Sequence, residues 1–259
     1  MRRFLGIPGV PGNRRRTRSA LLGAAITCVE QWRWPVVPGA LPASPPAPGL
    51  SWGPAPAESA EGDEPLGTGC SCPRPDCPVP GAHPHDPPLL AATTDPRMVR
   101  WWWTTRPTAP LVVATGERVA AVSLPAVAGA RLLDYLDALR HPVGPVIATP
   151  TRYLLLVAPY THEELAELLM RQESVPTSVR YHGPGGYVLL PPSRTAAGEL
   201  RWVREPVPPQ DAGAGARAGA EPVEMGVGGV APWLPPVADF VDALVAAGSS
   251  APDGTRLAY

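Results

Sequence analysis

Apolar positions along the chain alternate between helical and strand spacing, in short blocks divided by Pro, Gly and charge. Leu21, Leu22, Ala25 and Val29 share one face of a 3.6-residue period, and Ser19 ahead of them can accept from the first free backbone N–H groups. The pattern predicts a helix over residues 19–32, then a short strand over 34–37. Asp95-Pro96 pairs a cap acceptor with a proline at the first helical position, and that helix is expected to turn Met98, Trp101 and Trp102 inward. Residues 111–115 and 119–124 are apolar runs of strand length broken by Gly116-Glu117. Residues 128–140 are amphipathic, with Leu132, Leu133, Leu136 and Leu139 on one side. Two more strands, 146–149 and 153–158, flank Pro150-Thr151-Arg152. Thr161 and Glu164 form a capping box before a helix that buries Leu165, Leu168 and Leu169. Strands at 179–181 and 187–190 flank Gly183-Pro184-Gly185-Gly186, which has the composition of a hairpin turn. A strand at 200–203 and a helix at 236–246, led by Trp233-Leu234, complete the pattern. Strands mixed with a few helices, and hairpins among them, predict an α+β domain.

Composition moves the boundaries. Of 259 residues, 38 are Pro and 26 Gly, concentrated in segments that cannot pack regularly. The expected organisation is a basic leader over 1–18, a domain over 19–207, a linker over 208–230, and a C-terminal helix and tail over 231–259. Within the domain, 38–66 is expected to be a disordered Pro-rich insertion and 70–85 a Cys/His loop. All 22 basic residues are arginine, which excludes lysine chemistry. A net charge of −1 gives no global field for nucleic acid, so any basic face must be local. No stretch is long enough to span a membrane. The arginines at 2, 3, 14–16 and 18 with apolar 20–29 mimic a signal peptide, but the apolar run is short and leads into Glu30-Gln31-Trp32. A cytoplasmic location is expected. Arg14 to Arg18 can touch a nucleic-acid backbone or form a solvated tail.

Several local patterns now stand in a recognisable order: Trp34-Pro35-Val36; the Cys-rich run ending in His83-Pro84; Thr94-Asp95-Pro96 with Trp101-Trp102; Thr115-Gly116; and Gly185-Gly186-Tyr187-Val188 with Pro191-Pro192-Ser193. In this order the chain resembles the bifunctional DNA primase/polymerase N-terminal domain, or prim-pol, in its actinobacterial form, over roughly residues 20–204. The resemblance implies a mixed sheet with flanking helices, of the archaeo-eukaryotic primase type. It also implies nucleotidyl transfer with two divalent metals, Mg²⁺ or Mn²⁺, held by carboxylates.

The family's Asp-x-Asp-Pro would fall on Val122-Ser123-Leu124-Pro125, so both acids are missing. Its Arg-His-Leu segment, whose histidine meets the incoming nucleotide, would fall on Arg152-Tyr153-Leu154. Its third acid, in Asp-x-Arg, would fall on Ser178-Val179-Arg180. The family's catalytic positions are thus Val122, Leu124, Tyr153 and Ser178, none with its expected group. Arg152 and Arg180 remain as nucleotide-binding candidates, and Ser123, Arg152 and Ser178 are expected to converge. Asp134 with Asp137, the glutamates Glu163, Glu164 and Glu167, and Glu117 are possible substitute acids, although helix faces and a turn explain them more simply. The expected function is a non-catalytic module that binds nucleic acid, nucleotide or another protein. No helicase motor accompanies it, so a replication role calls for a partner in trans. Two alternatives stay open: an active primase/polymerase with carboxylates from other positions, and an exported zinc or disulfide protein.

Cys70, Cys72, Cys77 and His83 have the chemistry of a three-thiolate, one-imidazole zinc knuckle, with His85 competing for the fourth place. Cys28, in an apolar helix, is expected in the core. Trp103, near Arg100 and Arg106, is either core or a stacking surface for a base.

Overall fold

The computed structural model describes residues 11–42, 69–207 and 231–250, residues 11–16 by their backbone alone. Most of the expected insertion, the linker and the last residues lie outside these. The helices are α1 (Pro11–Glu30), α2 (Pro96–Thr105), α3 (Ala126–Ala138), α4 (His162–Met170) and α5 (Val241–Ser249). The strands are β1 (Val36–Pro38), β2 (Leu111–Ala114), β3 (Ala120–Pro125), β4 (Val146–Ala148), β5 (Arg152–Val157), β6 (Arg180–His182), β7 (Tyr187–Leu190), β8 (Arg194–Thr195), β9 (Gly198–Glu199) and β10 (Arg201–Arg204). The domain is α+β, as the pattern predicts. No helix among the described residues is long and apolar enough to cross a membrane.

A five-stranded antiparallel sheet runs β10-β4-β5-β3-β6, and a three-stranded one runs β1-β2-β7. Strand parity divides the larger sheet. Ala120, Val122, Leu124, Leu155 and Val157 face a core with α3 and α5, filled by Leu132, Leu136, Phe240 and Leu244. Ala121, Ile147, Leu154 and Leu156 face the other way, into a core shared with α1, α2 and the small sheet. Burying each Val, Leu, Ile or Phe side chain among these contributes about 1.5–3 kcal/mol.

Local expectations hold where a side chain signals a boundary. Asp95 Oδ1 accepts from Arg97 N at 2.8 Å at the start of α2, and Thr161 with Glu164 closes both halves of the capping box on α4. Others need correction. Helix α1 begins at Pro11, so Ser19 lies inside it and residues 11–18 of the expected leader belong to the helix, residues 1–10 lying outside the described residues. Residues 38–42 of the expected insertion are ordered, with Pro38 paired to Leu111. In α2 the inward residues are Val99, Trp102 and Trp103, while Met98 and Trp101 (59% accessible) are exposed. Leu139 is exposed beyond the end of α3, and α4 rests half-buried against the core that holds α3 and α5. The turn at 183–186 makes no hairpin: β6 pairs with β3 and β7 with β2, so the turn carries the chain from one sheet to the other. The C-terminal helix is split into a 3-10 turn at Val237–Asp239 and α5.

Candidate active-site cleft and metal loop

The passage from β6 to β7 opens a cleft of roughly 360 Å³ between the two sheets. Its floor is the alternate face of β3, β5 and β6: Ser123, Arg152, Leu154, Arg180 and His182. One wall is Tyr187, Val188 and Leu189, and Val79 and Ala82 of the Cys/His loop form another. The motifs noted in the sequence hold this frame. Thr115 N donates to Gly186 O at 2.9 Å and Thr115 Oγ1 to Gly183 O at 2.7 Å. Gly116, at φ +123°, sits where a Cβ would lie 2.5 Å from Pro184 Cα, so only glycine permits this approach. Ser193 Oγ accepts from Leu111 N at 2.7 Å and ties the end of β7 to β2.

Arg152 joins the floor together. Its Nε donates to Ser123 Oγ at 3.1 Å, and its Nη2 donates to Ser123 O at 2.8 Å and Ser178 O at 2.7 Å. Ser123, Arg152 and Ser178 therefore converge, but Ser178 contributes its carbonyl; its hydroxyl donates to Gly248 O at the end of α5. Ser123 Oγ lies 3.0 Å from His182 Nε2. With Arg152 donating to the hydroxyl, the hydroxyl proton is left for that ring nitrogen. Burial, and then the charges of Arg152 and Arg180, lower the His182 pKa from 6.5 to about 4, against an opposing hydrogen bond with the Tyr187 backbone. Such an imidazole is a weak base. Ser123 is 1% accessible and already accepts from a guanidinium, so the pair is not an activated nucleophile.

His182 escaped the sequence reading. The signal was there: β6 places residues 180 and 182 on one face, so Arg180 in the cleft entails His182 beside it. Parity also relocates the positions assigned by resemblance. Val122 and Leu124 are fully buried in the core with α3 and α5, on the face away from the cleft, and Tyr153 packs there against Gly129. The β3 side chain that faces Arg152 and Arg180 is Ser123. In either register β3 offers no carboxylate, and among the described residues no Asp or Glu lines the cleft. The substitute acids lie elsewhere: Asp137 pairs with Arg204, Glu164 caps α4, and Glu117 is exposed in the β2–β3 turn. The donor set that the described residues give the cleft does not fit a hard divalent cation, which needs carboxylate oxygens.

The Cys/His loop does form a cluster able to hold a metal ion. The ligand atoms of Cys70, Cys72, Cys77 and His83 all lie within 4.8 Å of one another. His83 Nε2 is 3.4 Å from both Cys70 Sγ and Cys77 Sγ. His83 Nδ1 lies 2.8 Å from Pro84 O; donating there leaves Nε2 as the ligand atom, the usual second bond of a metal-bound histidine. The geometry selects His83 over His85. Burial pushes the Cys70 thiol up, but hydrogen bonds from the Cys72 and Gly81 backbones and from His83 and Cys72 outweigh it and bring it to about 7. Burial raises Cys77 to about 11. The loop is anchored on both sides: Ala40 N donates to His83 O at 2.8 Å, and Ala196 N to Pro80 O at 3.1 Å. Cys28 is a buried core residue. Trp103 is buried, with Nε1 donating to Ala109 O at 3.0 Å, so it offers no stacking face.

The family model of the bifunctional DNA primase/polymerase, N-terminal (Prim-Pol), matches residues 25–214. The chain belongs to this family. No curated protein and no solved structure matches it. The Prim-Pol match spans the Cys/His loop, both sheets and the whole cleft floor.

Proposed function

We propose that this Prim-Pol chain is a non-catalytic module that binds nucleotide or nucleic acid in the inter-sheet cleft. The observation behind the reading is the lining that the described residues form: Arg152, Arg180 and His182, with no Asp or Glu among those residues. Nucleotidyl transfer is chiefly positioning plus neutralisation of phosphate charge by metals. A lining that, among the described residues, has arginines and no acids favours phosphate and offers no carboxylates to bring in two metals. Zinc in the Cys/His cluster is a structural partner, supported by three thiolates and one imidazole in a compact loop. Reduced thiols suit the cytoplasm. A role in replication would run through another protein that supplies catalysis.

Fluorescence anisotropy with labelled deoxynucleotides and a short labelled single strand tests the reading. Saturable binding that Arg180→Gln weakens is the expected result. If neither probe binds, the reading fails.

A further inference from the structure

The Cys/His loop is itself a wall of the cleft, and two of its metal-ligating residues bracket the stretch that forms that wall. We propose that metal occupancy of the Cys70, Cys72, Cys77 and His83 cluster controls ligand binding in the cleft, on the basis of the binding reading above. With zinc in the loop the wall is fixed and the ligand is held; when the loop loses its metal the wall loosens and affinity falls.

Residues 78–82 lie between Cys77 and His83, and two of them, Val79 and Ala82, line the cleft. Ala82 N donates to Val79 O at 2.9 Å, which closes a tight turn between them. Ligand atoms held within 4.8 Å of one another fix both ends of this turn at once. Gly81, at φ +75°, is pressed against the segment that precedes the loop, where a Cβ would meet Pro42 Cδ at 2.9 Å. Ser71 N donates to Leu41 O at 2.9 Å and Ala40 N to His83 O at 2.8 Å, so both arms of the loop lie along that same segment.

The wall continues beyond the loop. Pro80 O accepts from Ala196 N at 3.1 Å, and Ala196 stands in the turn between β8 and β9. Thr195 and Ala197 on either side of it line the cleft as well. A shift of residues 79–82 is therefore felt at 195–197. Most of residues 70–85 are exposed or half-buried, so metal bonds rather than apolar burial supply the order of this segment. The core with α3 and α5 lies on the other face of the large sheet and packs without the loop. Losing the metal then frees the wall and leaves the domain folded. A wall already in place spares the ligand the cost of ordering it, which a loose wall imposes on binding. The coupling is reciprocal, so a ligand in the cleft also tightens the hold on zinc.

Hydrogen exchange on the full chain, zinc-loaded and then stripped by a chelator that is dialysed away, reads the wall without any ligand. Exchange should quicken about tenfold or more at residues 194–199 as well as at 77–84, with α3 and α5 unchanged. Fluorescence anisotropy with a labelled deoxynucleotide and a short labelled DNA strand reads the ligand. The probe that binds should weaken about tenfold on stripping, recover with added zinc, and raise zinc affinity by the same factor. Probe binding that ignores zinc overturns this proposal and leaves the binding reading standing. Faster exchange confined to residues 70–85 overturns it too, as does a chain that takes up no zinc. Loss of protection that reaches α3 and α5 would make the metal a requirement of the whole fold and overturn control of the cleft. If neither probe binds in either state, the binding reading fails and this one with it.

Discussion

Replacing His182 with glutamine should remove a specific part of the protein's acid sensitivity. His182 is held neutral in the folded state, by burial first and then by the Arg152 and Arg180 charges, with a pKa near 4 against 6.5 ordinarily. Between those values the unfolded chain binds the extra proton and the folded chain does not. Stability therefore rises with pH through this window, and the contribution is fully present above about pH 6.5 and lost as pH falls through about 4. At about 1.4 kcal/mol for each pH unit of separation, the full effect is roughly 3 kcal/mol, a large fraction of a typical 5–15 kcal/mol stability. Urea denaturation across pH 4–7, an interval of about 3 units that covers the window, should show the unaltered protein losing more stability than His182→Gln by about that amount. Carboxylates elsewhere contribute equally to both proteins and cancel in the difference. Parallel stability curves for the two would refute the account of the cleft as a buried, cationic environment.

Arg152→Met removes three hydrogen bonds to Ser123 and Ser178 and should cost about 2–4 kcal/mol in denaturant unfolding, whereas Glu117→Gln in the exposed turn should stay within about 0.5. Gly116→Ala forces a Cβ toward Pro184 at a positive φ and should destabilise by about 1–3 kcal/mol, read as a lowered Tm. Elemental analysis should find about one zinc per chain, lost in Cys77→Ser. A chelator should raise hydrogen exchange at residues 70–85 before the sheets, because metal binding is folding energy for that loop; unchanged exchange after metal removal would count against a structural metal there.

Much of the scaffold was legible because the deciding groups are neighbours in sequence. Asp95 and Arg97, or Thr161 and Glu164, fix helix starts within a few residues, and the Cys70–His83 cluster closes over a short span. What was not legible depends on long-range pairing. Gly183-Pro184-Gly185-Gly186 has hairpin composition, yet β3 and β2, far upstream, claim β6 and β7 for different sheets. Three successive tryptophans leave the phase of α2 open. Packing of α2 against α1 and the bond from the Trp103 indole to Ala109 O settle it. The parity of β3 was the most consequential unknown. A one-residue slip moves every side chain to the other face, so motif matching placed attention on Val122 and Leu124 while the fold presents Ser123 to Arg152 and His182.

The most direct test of the central claim is incorporation of labelled deoxynucleotide into primed and unprimed single-stranded DNA by the full chain, with Mg²⁺ and with Mn²⁺. A Prim-Pol fold whose cleft, among the described residues, holds arginines and a neutral histidine but no carboxylate predicts no product above the protein-free control with either metal. Product that depends on the metal and disappears in Arg152→Met would contradict it.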